Sequence, residues 1–296
     1  MTEPGKHRVG ASKSMRQVGT SVAGVVVGFL VVALVVFIGV KVFGGGDDKP
    51  PVAAATTSSA APHATSRLPD IPVPNVPQSV LDTLPVAETE GKVPKAPIDL
   101  TSASGGLAIR VDKAMPGFAK PGADPVTMIP KSQIGSTTWL PVLRTERGWA
   151  QVRLPARPNG ATVWIPEAGL NRAKTKWAVQ VSLSKGTLTI TYDGKSRGTW
   201  DVGQGKATTP TPVGQTFLLS GFVDPNQSFS PVIYALGAHS DTLDSYGGGP
   251  GTVAVHGWPT KQGREGKVSH GCIRVPAAAL KMFAKLPTGT PVDITA

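Results

Sequence analysis

The chain has 296 residues, enough for two compact domains with extensions. Its single cysteine, Cys272, rules out an internal disulfide framework and lies too far from the N-terminus for a lipobox-type acylation site. A net charge of +11 comes without an aromatic-basic groove or a nucleic-acid motif, so no nucleic-acid partner is expected, and a basic chain suits anionic polymers instead.

In chain order, residues 1–20 form a basic tail in which Lys6, Arg8, Lys13 and Arg16 face only Glu3. Residues 21–40 carry no charge, and the run from Val25 to Ile38 is apolar throughout. Twenty such residues in a helix reach about 30 Å, the thickness of a bilayer's hydrocarbon core, which predicts a transmembrane helix over 21–43. The preceding basic residues place the N-terminus in the cytoplasm, so the remainder faces outward and the membrane is one partner of the chain. A cleaved signal peptide is the alternative, with Ala53-Ala54-Ala55 supplying small residues. The run instead ends at Lys41-Val42-Phe43-Gly44, which favours an uncleaved anchor.

Residues 44–98 are rich in Pro, Ala, Thr and Ser, as in Leu68-Pro69-Asp70-Ile71-Pro72-Val73-Pro74. Such a composition buries too little apolar surface to offset its ordering entropy, which predicts a disordered linker with one helical turn at 81–84. From residue 99 to 172 short segments at 107–111, 126–129, 139–145, 149–154 and 161–165, punctuated by Arg147-Gly148 and Pro158-Asn159-Gly160, predict a small β-barrel. Trp139, Trp149 and Trp164 in these segments read as core residues before they read as a ligand platform. In residues 173–296, alternation with tight turns at Ser184-Lys185-Gly186 and Asp193-Gly194 predicts antiparallel strands at 177–183, 187–192 and 199–202. Further strands are expected at 215–219, 232–236, 252–256 and 292–294. One helix is predicted from Pro276 through residue 286, with Leu280 and Phe283 on its packed face. The fold class is mainly β.

The chemistry concentrates at His256-Gly257-Trp258 and Ser269-His270-Gly271-Cys272-Ile273-Arg274. A thiol attacks carbonyls as its thiolate, so a cysteine nucleophile needs an imidazole to take its proton and a positive charge to hold the anion. If 270–274 is extended, His270, Cys272 and Arg274 project from one face while His256 arrives from another strand. Spacing does not choose between the two histidines as base. A zinc site built on His256, His270 and Cys272 lacks the usual ligand spacing, and neither metal nor cofactor is expected. The long segment between Gly221 and Gly251 has the glycine, polar and aromatic content of a loop covering a site, with His239 and Tyr246 as its candidates; an ordinary surface loop fits equally.

These two motifs, with Thr209-Pro210-Thr211-Pro212-Val213-Gly214 upstream, resemble the signature of the YkuD-type L,D-transpeptidases, bacterial enzymes that cross-link peptidoglycan. The resemblance spans residues 173–296 and implies a β-sandwich-like catalytic domain. The stretch around Trp139, Trp149 and Trp164 resembles bacterial SH3-like modules that accompany cell-wall enzymes, which implies possible wall-polymer contact.

By this resemblance Cys272 is the nucleophile and His256 the base, with a backbone carbonyl such as that of Gly257 orienting its second nitrogen. His270 supports the site and substrate, and the amides near Gly271 and Cys272 form the oxyanion hole. Arg274 binds a substrate carboxylate or serves a structural ion pair, and Ser269, Gly257, Trp258 and Tyr246 complete the substrate-binding set. The implied partners are peptidoglycan stem peptides, and the implied place is the outer face of a bacterial membrane. An L,D-carboxypeptidase, or a wall-binding protein with an inactive catalytic domain, are the alternatives. A papain-type peptidase finds no matching motif around Cys272.

Overall fold

The computed structural model describes residues 68–246 and 249–296. No helix among them is long and apolar enough to cross a membrane, and the span expected at 21–43 lies outside the described residues, as does the cleavage alternative near Ala55.

After a single helical turn, α1 (Gln78–Leu81), the N-terminal β domain comprises β1 (Leu107–Arg110), β2 (Met115–Phe118), β3 (Pro125–Ile129), β4 (Ser132–Gln133), β5 (Ser136–Thr137), β6 (Trp139–Glu146), β7 (Trp149–Arg153), β8 (Thr162–Pro166) and β9 (Arg172–Lys174). Seven of these form one sheet in the order β3-β2-β8-β7-β6-β1-β9, with β4 and β5 a separate hairpin. Every pairing in the seven-stranded sheet is antiparallel, with β3 and β9 as its outermost strands and no pairing between them, so hydrogen bonding does not close it into the expected barrel; the outer edge of β3 is bridged by Val86. The Pro and Gly in β2 and the charges of β9 hide both from an alternation test.

The C-terminal domain continues with β10 (Trp177–Ser182), β11 (Thr187–Tyr192), β12 (Lys195–Asp201), β13 (Gly203–Gly205), β14 (Gly214–Phe222), β15 (Ile233–His239), β16 (Thr252–Gly257), a 3-10 turn at Gln262–Arg264, β17 (Gly266–Ser269), β18 (Ile273–Val275), α2 (Ala277–Phe283) and β19 (Pro291–Thr295). Its ten strands run β12-β11-β10-β19-β14-β15-β16-β18-β13-β17, with parallel pairs β10/β19, β16/β18 and β13/β17 in an otherwise antiparallel sheet. Helix α2 starts one residue after Pro276 and buries Ala279, Leu280 and Phe283, one stripe of a 3.6-residue period, against the sheet.

Strand β14 ties the two domains together. Phe217 and Leu219 belong to the core of the N-terminal domain, whereas Leu218 between them belongs to the core around α2. Successive side chains of a strand point to opposite faces, so one strand closes both cores.

The linker expectation is corrected from residue 68 onward. Ala87, Val93 and Ala96 are buried in the N-terminal core, and Ile71 packs on the Phe118, Trp149 and Trp164 cluster. Backbone bonds hold the strap: Ala87 N–H donates to the Met128 carbonyl at 2.7 Å, Val93 N–H to Arg157 at 2.7 Å, and Ile71 N–H to Arg147 at 2.9 Å. The Trp149 indole donates to the Ile71 carbonyl at 2.8 Å, and buried Arg153 donates to the carbonyls of Asp99 and Ser102. The helical turn falls at Gln78–Leu81, three residues earlier than its expected place at 81–84. Proline-rich composition signals an extended chain, but not whether a neighbouring sheet offers pockets and donors for it.

A chain beginning at residue 99 is expected to melt several degrees below one beginning at residue 68, because removal of the strap takes buried Ala87, Val93 and Ala96 from the core and Ile71 from the Trp149 ring. Equal melting temperatures by calorimetry would mean that the strap adds nothing to the fold.

Candidate active site

The nucleophile candidate sits where the chain leaves β17 and enters β18. Ser269 ends one strand and Ile273 begins the next, and Gly271 between them has φ +121°, a backbone that favours glycine. The segment 270–274 is therefore not continuously extended, and the expected common face of His270, Cys272 and Arg274 is interrupted: His270 is exposed while Cys272 is half-buried. Buried Ser269 holds the bend, its hydroxyl donating to the Cys272 carbonyl at 2.6 Å and accepting from the Gly271 N–H at 3.1 Å. The Gly271 amide, expected to share in an oxyanion hole, is engaged by Ser269 Oγ in this structure. Ser269 likewise spends its hydroxyl on the bend rather than presenting it to a substrate.

The bend is braced from outside by the segment after β13. Thr211 donates to the Gly271 carbonyl at 2.8 Å while accepting from the Gly205 N–H at 2.9 Å, and Thr209 donates to the Ser269 carbonyl at 3.4 Å. A side chain at Gly205 would come within 2.3 Å of the Thr209 carbonyl oxygen, so this close approach needs glycine.

Parallel pairing of β16 with β18 sets Val255 beside Ile273 and His256 beside Arg274, which brings the two sequence motifs together. His256 is buried, and its Nδ1 lies 2.7 Å from the Gly257 carbonyl. A carbonyl only accepts, so Nδ1 carries the proton and Nε2 is left with its lone pair. The Gly257 N–H in turn donates to Ser230 Oγ at 2.7 Å, and the Phe229 ring packs 4.9 Å from the imidazole and 5.3 Å from Trp258. Phe229 and Ser230, which sequence reasoning did not single out, come from the loop between β14 and β15; their adjacency to His256 depends on the β15/β16 pairing that no local pattern announces.

Burial lowers the His256 pKa to about 4, helped by the Arg274 charge and opposed by the bond to Gly257. Burial pushes the Cys272 thiol up, against the pull of a backbone hydrogen bond from Ala254 and of the Arg274 charge. Both shifts favour a protonated thiol and an uncharged imidazole over a resting thiolate and imidazolium.

Arg274 lies among these groups with its guanidinium carbon 3.5 Å from the centre of the Trp258 ring and one nitrogen donating to the Gly263 carbonyl at 3.3 Å. Its Nε is buried without a hydrogen-bond partner, an unmet donor beside the thiol. On the outer side Tyr246, half exposed, stacks on His270 with ring centres 4.8 Å apart, and its own backbone pairs with Gly249.

His256, Trp258 and Arg274 are thus linked by ring contacts, Tyr246 and Cys272 lie close enough to Arg274 to influence its charge, and Tyr246 in turn stacks on His270. His239 stands apart. It is buried at the strap, where Nε2 meets the Thr89 carbonyl and hydroxyl and Nδ1 has no partner.

Residues 176–294, less than half of the chain, match the YkuD family model, the L,D-transpeptidase catalytic domain. No curated protein matches the chain by sequence. Similar solved structures include an L,D-transpeptidase from Mycobacterium smegmatis at 17% identity, covering 50% of this chain and 91% of that one with a TM-score of 0.33. Another is L,D-transpeptidase 3 from Mycobacterium tuberculosis in complex with a faropenem-derived adduct, at 18% identity, 47% and 75% coverage and a TM-score of 0.35. The catalytic domain of an E. faecium L,D-transpeptidase is 26% identical, with 40% and 95% coverage and a TM-score of 0.31.

Two outcomes are expected from the electrostatics. Alkylation of Cys272 by iodoacetamide should still be accelerating at pH 9, because the thiol titrates above its usual value; a plateau reached below pH 7 would instead reveal a resting ion pair.

The second concerns His239, whose burial lowers its pKa to about 4. Unfolded, it binds a proton near pH 6.5. Its contribution to stability is therefore complete above pH 6.5 and is lost as pH falls toward 4, by up to about 3 kcal/mol. Urea unfolding of the wild type and of His239→Gln between pH 4 and 7 should show the smaller pH slope in the variant.

Proposed function

We propose that this protein is a peptidoglycan L,D-transpeptidase acting through a cysteine thioester. The observation that carries the reading is His256, oriented by the Gly257 carbonyl, on the strand paired in parallel with the one Cys272 leads into, within the segment that matches the L,D-transpeptidase family model.

In this mechanism a donor tetrapeptide stem enters with its terminal carboxylate toward Arg274, whose unpartnered Nε and stacked guanidinium suit an anion. As the sulfur attacks the carbonyl of the third, L-centred residue, His256 Nε2 takes the thiol proton. Starting from the neutral pair means that the proton moves during attack rather than before it. The Cys272 amide stabilises the oxyanion, since the Gly271 amide is held by Ser269.

Collapse of the tetrahedral adduct breaks the peptide bond, His256 returns its proton to the departing D-alanine amine, and a thioester remains. A side-chain amine of a second stem then attacks the thioester and gives up a proton to His256, and the thiol leaves protonated as the cross-link between third-position residues forms. Tyr246 and Trp258 are apolar walls for the stem, with His270 held by the Tyr246 ring. Water in place of the amine would make the same site an L,D-carboxypeptidase. The uncharged run at 21–40 and the basic residues before it support a membrane-anchored enzyme with its catalytic domain outside, among wall polymers.

Incubating the purified outward-facing part with a tetrapeptide stem and following products by mass spectrometry separates cross-linking, hydrolysis and no reaction. Cys272→Ala is expected to abolish both the reaction and covalent labelling by carbapenem-type lactams. His256→Ala should slow acylation by about 10²- to 10⁴-fold, and more than His270→Ala does. Labelling that persists in Cys272→Ala would place the nucleophile elsewhere, and the opposite histidine ranking would exchange their roles.

A further inference from the structure

The turn between β7 and β8 in the N-terminal domain reaches across to the segment that carries Tyr246. Arg157 donates through Nη1 to the Ser240 carbonyl at 2.8 Å and through Nη2 to the carbonyls of Leu243 at 2.9 Å and Pro250 at 3.0 Å. Asn159, two residues on, makes a reciprocal pair with His239: its Oδ1 accepts from the His239 N–H at 2.8 Å, and its Nδ2 donates to the His239 carbonyl at 2.7 Å. The same Nδ2 lies 2.9 Å from Asp241 Oδ1. Two side chains of one domain therefore fix the start, the middle and the end of a segment in the other.

The grip is itself held in place. The Arg157 N–H donates to the Gly91 carbonyl at 2.9 Å, and the Arg157 carbonyl accepts from the Val93 N–H at 2.7 Å, so the strap locks the backbone that projects the guanidinium. At Gly251, φ is +71°, and a Cβ would fall 2.4 Å from the Leu243 carbonyl oxygen and 3.1 Å from Arg157 Nη2. Only glycine lets the guanidinium nest among these carbonyls. A planar fork of donors matches three converging carbonyls in a way that the point charge of lysine does not.

Beyond the grip, Tyr246 reaches the site, stacking on His270 and lying close enough to Arg274 to influence its charge.

We propose that Arg157 and Asn159 are positioning residues of the active site: they hold residues 240–246 and 249–251 so that the Tyr246 ring forms the wall of the substrate groove beside His270 and Arg274. The N-terminal domain is thereby a structural part of the site and sets how a stem peptide is seated. The kinetic half of this inference rests on the transpeptidase reading; the conformational half does not.

The test uses the full chain with Arg157→Ala, Arg157→Lys and Asn159→Ala. Hydrogen exchange read by mass spectrometry should quicken in residues 240–246 of Arg157→Ala while β14 and β16 keep their protection, with Arg157→Lys rescuing only part of the loss.

Acylation by a carbapenem-type lactam should show an apparent KM raised by about tenfold with a smaller change in kcat, the scale expected when charge-assisted hydrogen bonds are lost. Iodoacetamide alkylation of Cys272 should be unchanged. Asn159→Ala gives the same readouts in milder form and decides the matter should Arg157→Ala fail to fold.

Exchange at 240–246 that stays as in the wild type, or that rises equally throughout the sheet, overturns the proposal. So does a KM that does not move. A wild-type chain that neither cross-links nor acylates would overturn the transpeptidase reading alone, since the exchange result stands without it.

Discussion

The parallel register of β16 against β18 is the constraint on which the site depends. It sets His256 beside Arg274 and Val255 beside Ile273, and the thiol of Cys272, one residue earlier, meets the backbone of Ala254. A slip of one residue in this pairing would turn every side chain of β18 to the other face of the sheet. Ile273 and Val275 would then leave the core that α2 covers, and Arg274 would enter it. Hydrophobic burial thus protects the catalytic register, because the residues alternating with Arg274 cannot be exposed cheaply.

Around this register, backbone groups rather than charged pairs do the positioning. Ser269, Thr209 and Thr211 spend their hydroxyls on the carbonyls of the bend, and Ser230 holds the Gly257 amide whose carbonyl orients His256. Each of these bonds is neutral, and those from Thr209, Thr211 and Ser230 come from segments remote in sequence, so the site keeps its shape through hydroxyls and backbone groups. The charge that is present, Arg274, is stacked on an aromatic face and incompletely bonded. A guanidinium that gives up water for a ring and one carbonyl retains capacity to bind an anion.

The two domains share a strand and a set of hydrogen bonds at this site. Strand β14 sends Phe217 and Leu219 into one core and Leu218 into the other, and the strap from residue 68 closes the N-terminal core while bonding to the turn that bears Arg157. Across the 172/173 boundary implied by the family resemblance, the two cores share strand β14. Loops carry function when a rigid scaffold holds them, and here the scaffold for Tyr246 is supplied by the neighbouring domain.

Much of the chemistry was legible in the chain itself. A lone cysteine in Ser269-His270-Gly271-Cys272-Ile273-Arg274 and a histidine at the end of an apolar strand mark the candidate groups of the proposed reaction, because thiol chemistry admits few residue types at such positions. A strand with clear alternation, such as Thr187–Tyr192, follows from local pattern alone, whereas Trp149–Arg153, buried throughout, is marked by its residue types and the Arg147-Gly148 turn before it. Short polar or glycine-rich strands, Gly203–Gly205 and Gly266–Ser269, do not, since their pairing partners are remote in sequence. Tertiary structure alone decided that His256 and not His270 is buried, that Gly271 gives its amide to Ser269, that residues 68–98 are packed, and that Arg157 reaches the segment bearing Tyr246. The physical reason is common to all four: burial and hydrogen-bond partnership are properties of surroundings assembled from distant segments, whereas residue type and periodicity are written in the segment itself.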